Sequence, residues 1–209
     1  MSENFAINRG EWDSLSNLRE SFLIPKNVIY LNGNSLGPLQ FRVKQRLKEV
    51  IDIEWGEDLI TSWNKHGWLD LPERVGEKIA PIIGASSGQV VCCDSISINL
   101  FKLLASAMQL RSNRTKILSQ VDNFPTDLYV AEGIERMLGK SRCTLELCSP
   151  KELITAMNEE VAVLMLSHVN FRDGAILDVA DLTRKAHENG ILVVWDLAHS
   201  AGVLSIALD

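Results

Sequence analysis

Four cysteines in 209 residues, none of them in a C-x-x-C spacing, leave little basis for a disulfide scaffold or a structural zinc site. Cys92 and Cys93 are neighbours, which rarely bridge each other, and Cys143 and Cys148 stand apart from them. A reduced, cytoplasmic chain is the expectation. No apolar run reaches about 18 residues, and the opening MSENFAINRGEWDSL lacks a basic-then-apolar leader, so neither a membrane span nor a secretory signal is expected. Basic clusters interleaved with aromatics are absent and the formal net charge is −6, which argues against nucleic acid or an anionic membrane as a partner. There is no G-x-G-x-x-G and no Walker-type lysine loop, so no dinucleotide or nucleoside triphosphate site is expected. Internal repeats and low-complexity tracts are missing too.

What is present is an ordinary globular composition, 46% apolar and 23% charged. Residues 1–70 read as an N-terminal arm and helices. Trp12, Leu15, Leu18 and Phe22 stand at helical spacing, and VIYLNGNSLGPL (28–39) reads as a short strand entering a turn-rich loop. QFRVKQRLKEVIDIE (40–54) fits an amphipathic helix, and residues 70–84 fit another, stopped by Gly84. The pattern then changes to alternation. GQVVCCDS, TKILSQVDNF, CTLELCSP, VAVLMLSHVN and ILVVWDLAHS read as strands with helices between them. Over 71–209 this predicts an α/β fold, a mainly parallel sheet with helices on both faces.

In such sheets reactive groups gather at the carboxyl ends of the strands. Polar residues cluster there: Asp94–Ser97, Asn123–Asp127, Ser167–Asn170 and Asp196–His199. Ser95 and Ser97 open a helix, where unpaired N–H groups and hydroxyls suit a single phosphate; taken alone they are better explained as caps. Phe124 precedes Pro125, so its backbone is extended and its ring can stack on a planar heteroaromatic ligand. Asp127 either hydrogen-bonds such a ligand or, more commonly, caps the helix that follows. Ser167 suits a phosphate or a ring oxygen, and His168 after an apolar strand reads as structural. Asp196 is the strongest signal, because it ends the apolar run ILVVW and a lone buried carboxylate is costly. A metal wants more ligands than Asp196 and His199 offer, and a Ser-His-Asp triad would need His199 between Asp196 and a nucleophilic serine. A protonated pyridine nitrogen fits best, since a carboxylate there keeps the ring cationic, as with pyridoxal phosphate.

The segments YLNGNSLG, WGEDLITSWNKHGWLDLPERVG, DSISINLFK, NFPTDLYVAEG, LSHVNFRDG and VVWDLAHSAG, in this order, resemble the bacterial kynureninases, from about Leu15 to Asp209. The resemblance implies the large domain of an aspartate-aminotransferase-like (fold type I) homodimer with pyridoxal phosphate as cofactor. It implies hydrolysis of L-kynurenine to anthranilate and L-alanine, and of 3-hydroxykynurenine to 3-hydroxyanthranilate, in tryptophan degradation and NAD biosynthesis. Carried over residue by residue, Ile96 and Ser97 would hold the phosphate and Phe124 would stack on the ring. Pro125 and Thr126 would belong to the same cofactor-binding segment, and Asp127 would support the ring's polar edge. Ser167 would be a further cofactor contact. Asp196 would pair with the ring nitrogen and His199 would lie beside the cofactor, these two being the catalytic residues. Ser35 and Trp63 would face the substrate, with His66 a lesser candidate.

The resemblance also carries a departure. Its members hold the cofactor through a lysine, preceded by tyrosine, on the strand after the Asp-bearing one. Here the sequence runs to AGVLSIALD, its last lysine is Lys185, and its tyrosines are Tyr30 and Tyr129. The resemblance thus covers an N-terminal half, and no turnover is expected from the chain alone. It reads as the partner-dependent half of a split enzyme or as a non-catalytic fragment, with another fold-type-I enzyme, such as a cysteine desulfurase relative, the lesser alternative. Asp173 stands where the resemblance leads to Thr or Ser.

Overall fold

The computed structural model describes residues 16–208, so Trp12 and Leu15 of the expected N-terminal helix lie outside the described residues. The chain divides into two compact units, one ending at Leu71 and the other beginning at Pro72. In the first, a 3₁₀ helix (Ser16–Ser21) leads into β1 (Phe22–Leu23), which pairs antiparallel with β2 (Leu39–Gln40). The strand expected from Val28 is not formed. Residues 28–31 are irregular and exposed, because the antiparallel pairing is made by residues on either side of them. α1 (Phe41–Glu49) runs on into a π-helical turn, Val50–Trp55, and α2 (Ser62–Lys65) follows a 3₁₀ turn. Val43, Leu47, Ile51 and Trp55, four residues apart, form an exposed apolar stripe along this helix.

From Pro72 onward α3 (Leu71–Ile79) belongs to the second unit, and Gly84 ends this region in the left-handed conformation that glycine tolerates (φ 63°), as its position predicts. Gly76 is needed for packing: a Cβ there would stand 1.9 Å from the backbone oxygen of Val90. The expected strand GQVVCCDS is irregular chain instead, held to α3 at this approach and by the Cys92 N–H bond to the Pro72 carbonyl (3.1 Å). An apolar run becomes a strand only where a neighbour offers ladder partners, and none does among the described residues.

The remaining elements alternate as expected: α4 (Ile96–Leu110), β3 (Lys116–Gln120), α5 (Pro125–Leu138), β4 (Thr144–Cys148), α6 (Leu153–Ala156), β5 (Val161–Ser167), α7 (Val179–Glu188) and β6 (Leu192–Asp196). The four long strands form one parallel sheet in the order β4-β3-β5-β6. Every residue of β5 is buried, which explains its unbroken apolar sequence. Ile117, Val163 and Met165 pack with Leu100, Leu104 and Ile134 of α4 and α5 on one face. Leu118, Leu164 and Leu166 pack with Leu153, Leu182 and Ala186 of α6 and α7 on the other. Each fully buried leucine of these layers stabilises the fold by about 1.5–3 kcal/mol relative to exposure. Trp195 ties β6 to α7 through its Nε1–H bond to Thr183 (2.9 Å).

Candidate functional site

Side-chain alternation decides what reaches the site. Ser119, Ser167 and Asp196 share the parity of Ile117, Met165 and Val194, so all three face the α4–α5 layer at the carboxyl ends of their strands. The amino ends of α4 and α5 lie toward the same ends, because α4 leads into the start of β3 and α5 runs back from the end of β3 to the start of β4. In register, Ser167 stands beside Asp196.

Asp196 is 8% exposed. Its Oδ1 accepts the Ala198 N–H (2.8 Å), and the Ser167 hydroxyl stands 3.5 Å from Oδ2. Its third neighbour is another acid. Asp127 is buried at the third position of α5, where its side chain turns into the layer toward Asp196 rather than capping the helix, as the commoner expectation had it. Burial, then the charge of Asp196 and the hydrogen bond between the two, push the Asp127 carboxyl up to about 7. Its Oδ2 is buried without a hydrogen-bond partner. A hydrogen bond between two carboxyls requires a proton, and below about pH 7 Asp127 is the member of the pair that carries it.

Phe124 sits at the non-helical position before α5, with the extended backbone (ψ 128°) that Pro125 requires. Its ring meets Phe171 edge-on at 5.2 Å and lies 5.7 Å from the His199 ring. Thr126 is exposed in the first turn of α5. Asn123, whose role the sequence did not reveal, fastens these parts together. Its Oδ1 accepts the N–H groups of Phe124 (2.8 Å) and Ser167 (3.1 Å), and its amide donates to Ser119 Oγ (2.9 Å). An Asn three residues past the end of β3, just before Phe124–Pro125, was the available signal. A cavity of about 260 Å³ opens here, lined by Gln120, Asp122, Phe124, Ser167, Asn170 and Phe171. Asp173 also borders it and accepts the Ala175 N–H (2.9 Å).

The structure therefore brings Phe124, Asp127, Ser167, Asp196 and His199 together. Ile96 and Ser97 are exposed in the first turn of α4, whose leading N–H groups have no intrahelical acceptor. Ser95, just before them, is the cap, accepting the Ile98 N–H. Ser35 and Trp63 belong to the first unit, Ser35 in a turn and Trp63 half-exposed in α2. His168 is buried at an edge-to-face angle to Trp195 and burial lowers its pKa, but its Nδ1 has no hydrogen-bond partner, so it is not the fully satisfied histidine that a structural role predicts. Two G-x-S-x-G strings, Gly33–Gly37 and Gly84–Gly88, lie in turns rather than at a strand-to-helix elbow, which leaves a serine-nucleophile reading without support. Among the described residues no group of three or more His, Cys, Asp or Glu is placed to hold a metal ion, and no helix is long and apolar enough to cross a membrane.

Residues 70–209 match the family model described as aminotransferase class-V. The chain is 46% identical over 200 residues to a kynureninase of Pseudomonas fluorescens, covering 94% of this chain and 48% of the relative. It is 44% identical over 211 residues to a kynureninase of Burkholderia pseudomallei (strain 1106a), covering 99% of this chain and 50% of the relative. The chain thus spans about half the length of the curated relatives it matches. Among solved structures, a C-DES mutant with glycine covalently linked to the PLP cofactor superposes with a TM-score of 0.70 at 16% identity, over 90% of this chain and 51% of that one. A cysteine desulfurase from Thermococcus onnurineus NA1 superposes with a TM-score of 0.68 at 20% identity, over 89% of this chain and 48% of that one. Such identities establish the fold, which is that of the fold-type-I pyridoxal-phosphate enzymes. On the family match and this fold together, the chain belongs to the class-V aminotransferase family.

Proposed function

We propose that this chain supplies the cofactor-binding half of a kynureninase, which hydrolyses L-kynurenine to anthranilate and L-alanine and acts likewise on 3-hydroxykynurenine. The observation that carries the reading is the Asp127–Asp196 pair, two buried carboxyls without an ion-pairing Lys or Arg among the described residues. The residues present fit pyridoxal phosphate. A ring-nitrogen cation at Asp196 answers the charge that the protein leaves unanswered, and the unpartnered Asp127 Oδ2 marks a polar atom awaiting a donor. When bound, pyridoxal phosphate supplies an electron sink for breaking bonds beside an amine-bearing carbon.

The chain's own residues do the holding. Phe124, fixed through Asn123, offers its ring for stacking, and Pro125 and Thr126 set it on the same turn as Asp127. The leading N–H groups of α4 at Ile96 and Ser97, with the Ser97 hydroxyl, suit the phosphate. Ser167 and His199 offer hydrogen bonds at the rim of the ring. Asp196 carries the negative charge that keeps the ring nitrogen protonated, and Asp127 stores the adjacent proton. Ser35 and Trp63 take the substrate side. The full enzyme on this reading is a cytoplasmic homodimer, and the apolar stripe Val43–Leu47–Ile51–Trp55 supports a partner surface.

Titrating the chain with pyridoxal phosphate tests the assignment. Saturable binding, read by absorbance and lost in Asp196→Asn, is expected; a variant that binds like the wild type would overturn it. With L-kynurenine added, no anthranilate fluorescence is expected from this chain alone. Its last lysine, Lys185, is ion-paired with Asp181 on α7 (2.5 Å). Robust turnover would refute that part of the reading.

A further inference from the structure

The first unit is organised around a carboxylate rather than an apolar core. Of its described residues only Glu54 and Ser62 are buried, while its large apolar side chains lie open. Glu54 sits in the π-helical turn, a conformation that recurs at functional positions. Its Oε2 accepts the Trp68 Nε1–H (2.6 Å) and its Oε1 meets Arg46 Nη2 (2.5 Å), while Ser62 Oγ donates to its backbone oxygen. His66 lies between two acids, Nδ1 at 3.7 Å from Glu54 Oε1 and Nε2 at 2.7 Å from Asp58 Oδ2; Asp58 also takes Lys65 at 2.7 Å. Trp68 in turn meets Trp63 edge-on, with centroids 6.1 Å apart and planes at 74°. The Trp68 N–H bond is the chief cause holding the Glu54 carboxyl below its ordinary pKa, with Arg46 and then His66 adding to it against the opposing effect of burial.

Indoles are usually fixed by burial in an apolar layer. Here that layer is missing, so the orientation of Trp68, and with it the edge that Trp63 leans on, depends on polar bonds to Glu54. We infer that Glu54 is a positioning residue, which fixes Trp68 and His66 and thereby presents the open side of Trp63 as a preformed surface for a flat aryl group. This rests on the reading in which Trp63 faces the substrate, and deepens it by naming what holds Trp63 in place. The ligand class is an amino acid bearing a planar aromatic ring.

The test uses the whole 209-residue chain, with near-ultraviolet circular dichroism of the Trp63–Trp68 pair and L-kynurenine binding read by tryptophan quenching. Glu54→Ala is expected to abolish the coupled indole signal and weaken L-kynurenine about ten-fold, the worth of one aromatic contact. Glu54→Gln keeps an acceptor for the indole N–H but loses the charge toward Arg46 and His66. It is expected to lower the urea midpoint while retaining both the indole signal and most of the affinity. Affinity that falls in step with the urea midpoint in both variants would reduce Glu54 to a structural role and overturn the inference, as would Glu54→Ala with an unchanged signal. Trp63→Phe separates the two readings. If it binds L-kynurenine like the wild type, or if the wild type binds none, the substrate-facing role of Trp63 fails, whatever the indole signal says of Glu54.

Discussion

Glu54 in the first unit and Asp196 in the second are both more than nine-tenths buried, yet only Glu54 has its charge answered from within the protein. Arg46, the Trp68 N–H and His66 converge on Glu54. Asp196 meets one backbone N–H, one hydroxyl and a second acid. A carboxylate with a full set of donors completes a structure, and removing it leaves those donors unpaired. A carboxylate set beside another acid strains the apoprotein, and that strain is relieved when a cation arrives. The sites thus predict opposite responses to the same kind of substitution.

The largest expected effect tests that contrast directly. Asp196→Asn should weaken pyridoxal phosphate roughly 100-fold while leaving the urea midpoint at or above that of the wild type, because it removes the like charge beside Asp127. Glu54→Ala should lower the midpoint. Equal destabilisation by both would break the comparison. Next comes pH. Asp127 ionises near 3.8 when unfolded but near 7 in the folded chain, so the folded state holds the extra proton between these values. Its contribution is full below about pH 4 and lost as pH rises through 7, a difference on the order of 4 kcal/mol. Asp127→Asn should remove this slope from urea midpoints measured over pH 4–8, and a variant with the wild-type slope would refute the assignment. The lowered pKa of Glu54 gives the opposite sign, stability present above the ordinary carboxyl range and lost as pH falls through its folded value. Phe124→Ala should cost about ten-fold in cofactor affinity, with Phe124→Tyr close to wild type, as read by the same absorbance titration. The smallest effect belongs to a third kind of acid. Asp178 is exposed and caps α7 by accepting the Asp181 N–H (2.9 Å), so Asp178→Ala should lower stability by about 1 kcal/mol without touching cofactor binding.

The sheet was legible because β5 and β6 are apolar runs followed by turn residues, with an amphipathic helix between them, and such runs have few other uses. Asp196 was legible for a related reason, since a charge at the end of a buried strand demands a partner. Val90–Cys93 misled because an apolar run reports a wish to be buried, while a strand also requires a neighbour's N–H and C=O groups. The same holds for Val28–Leu31, where the ladder formed on either side. Glu54 escaped notice because periodicity finds apolar faces, and nothing in VIDIEW marks Glu54 rather than Asp52 as the inward acid. The Asp127–Asp196 contact was beyond reach in another way. The two residues are far apart in sequence, and only strand register and helix direction bring them together.

The pairing of Ser167 with Asp196 has a consequence for how this chain tolerates change. Successive side chains along a strand point to opposite layers, so inserting or deleting a single residue within 192–195 would swing the acid into the α6–α7 layer and put an apolar side chain in its place. β6 therefore behaves like a reading frame. Its letters are open to substitution one at a time, but its count is fixed.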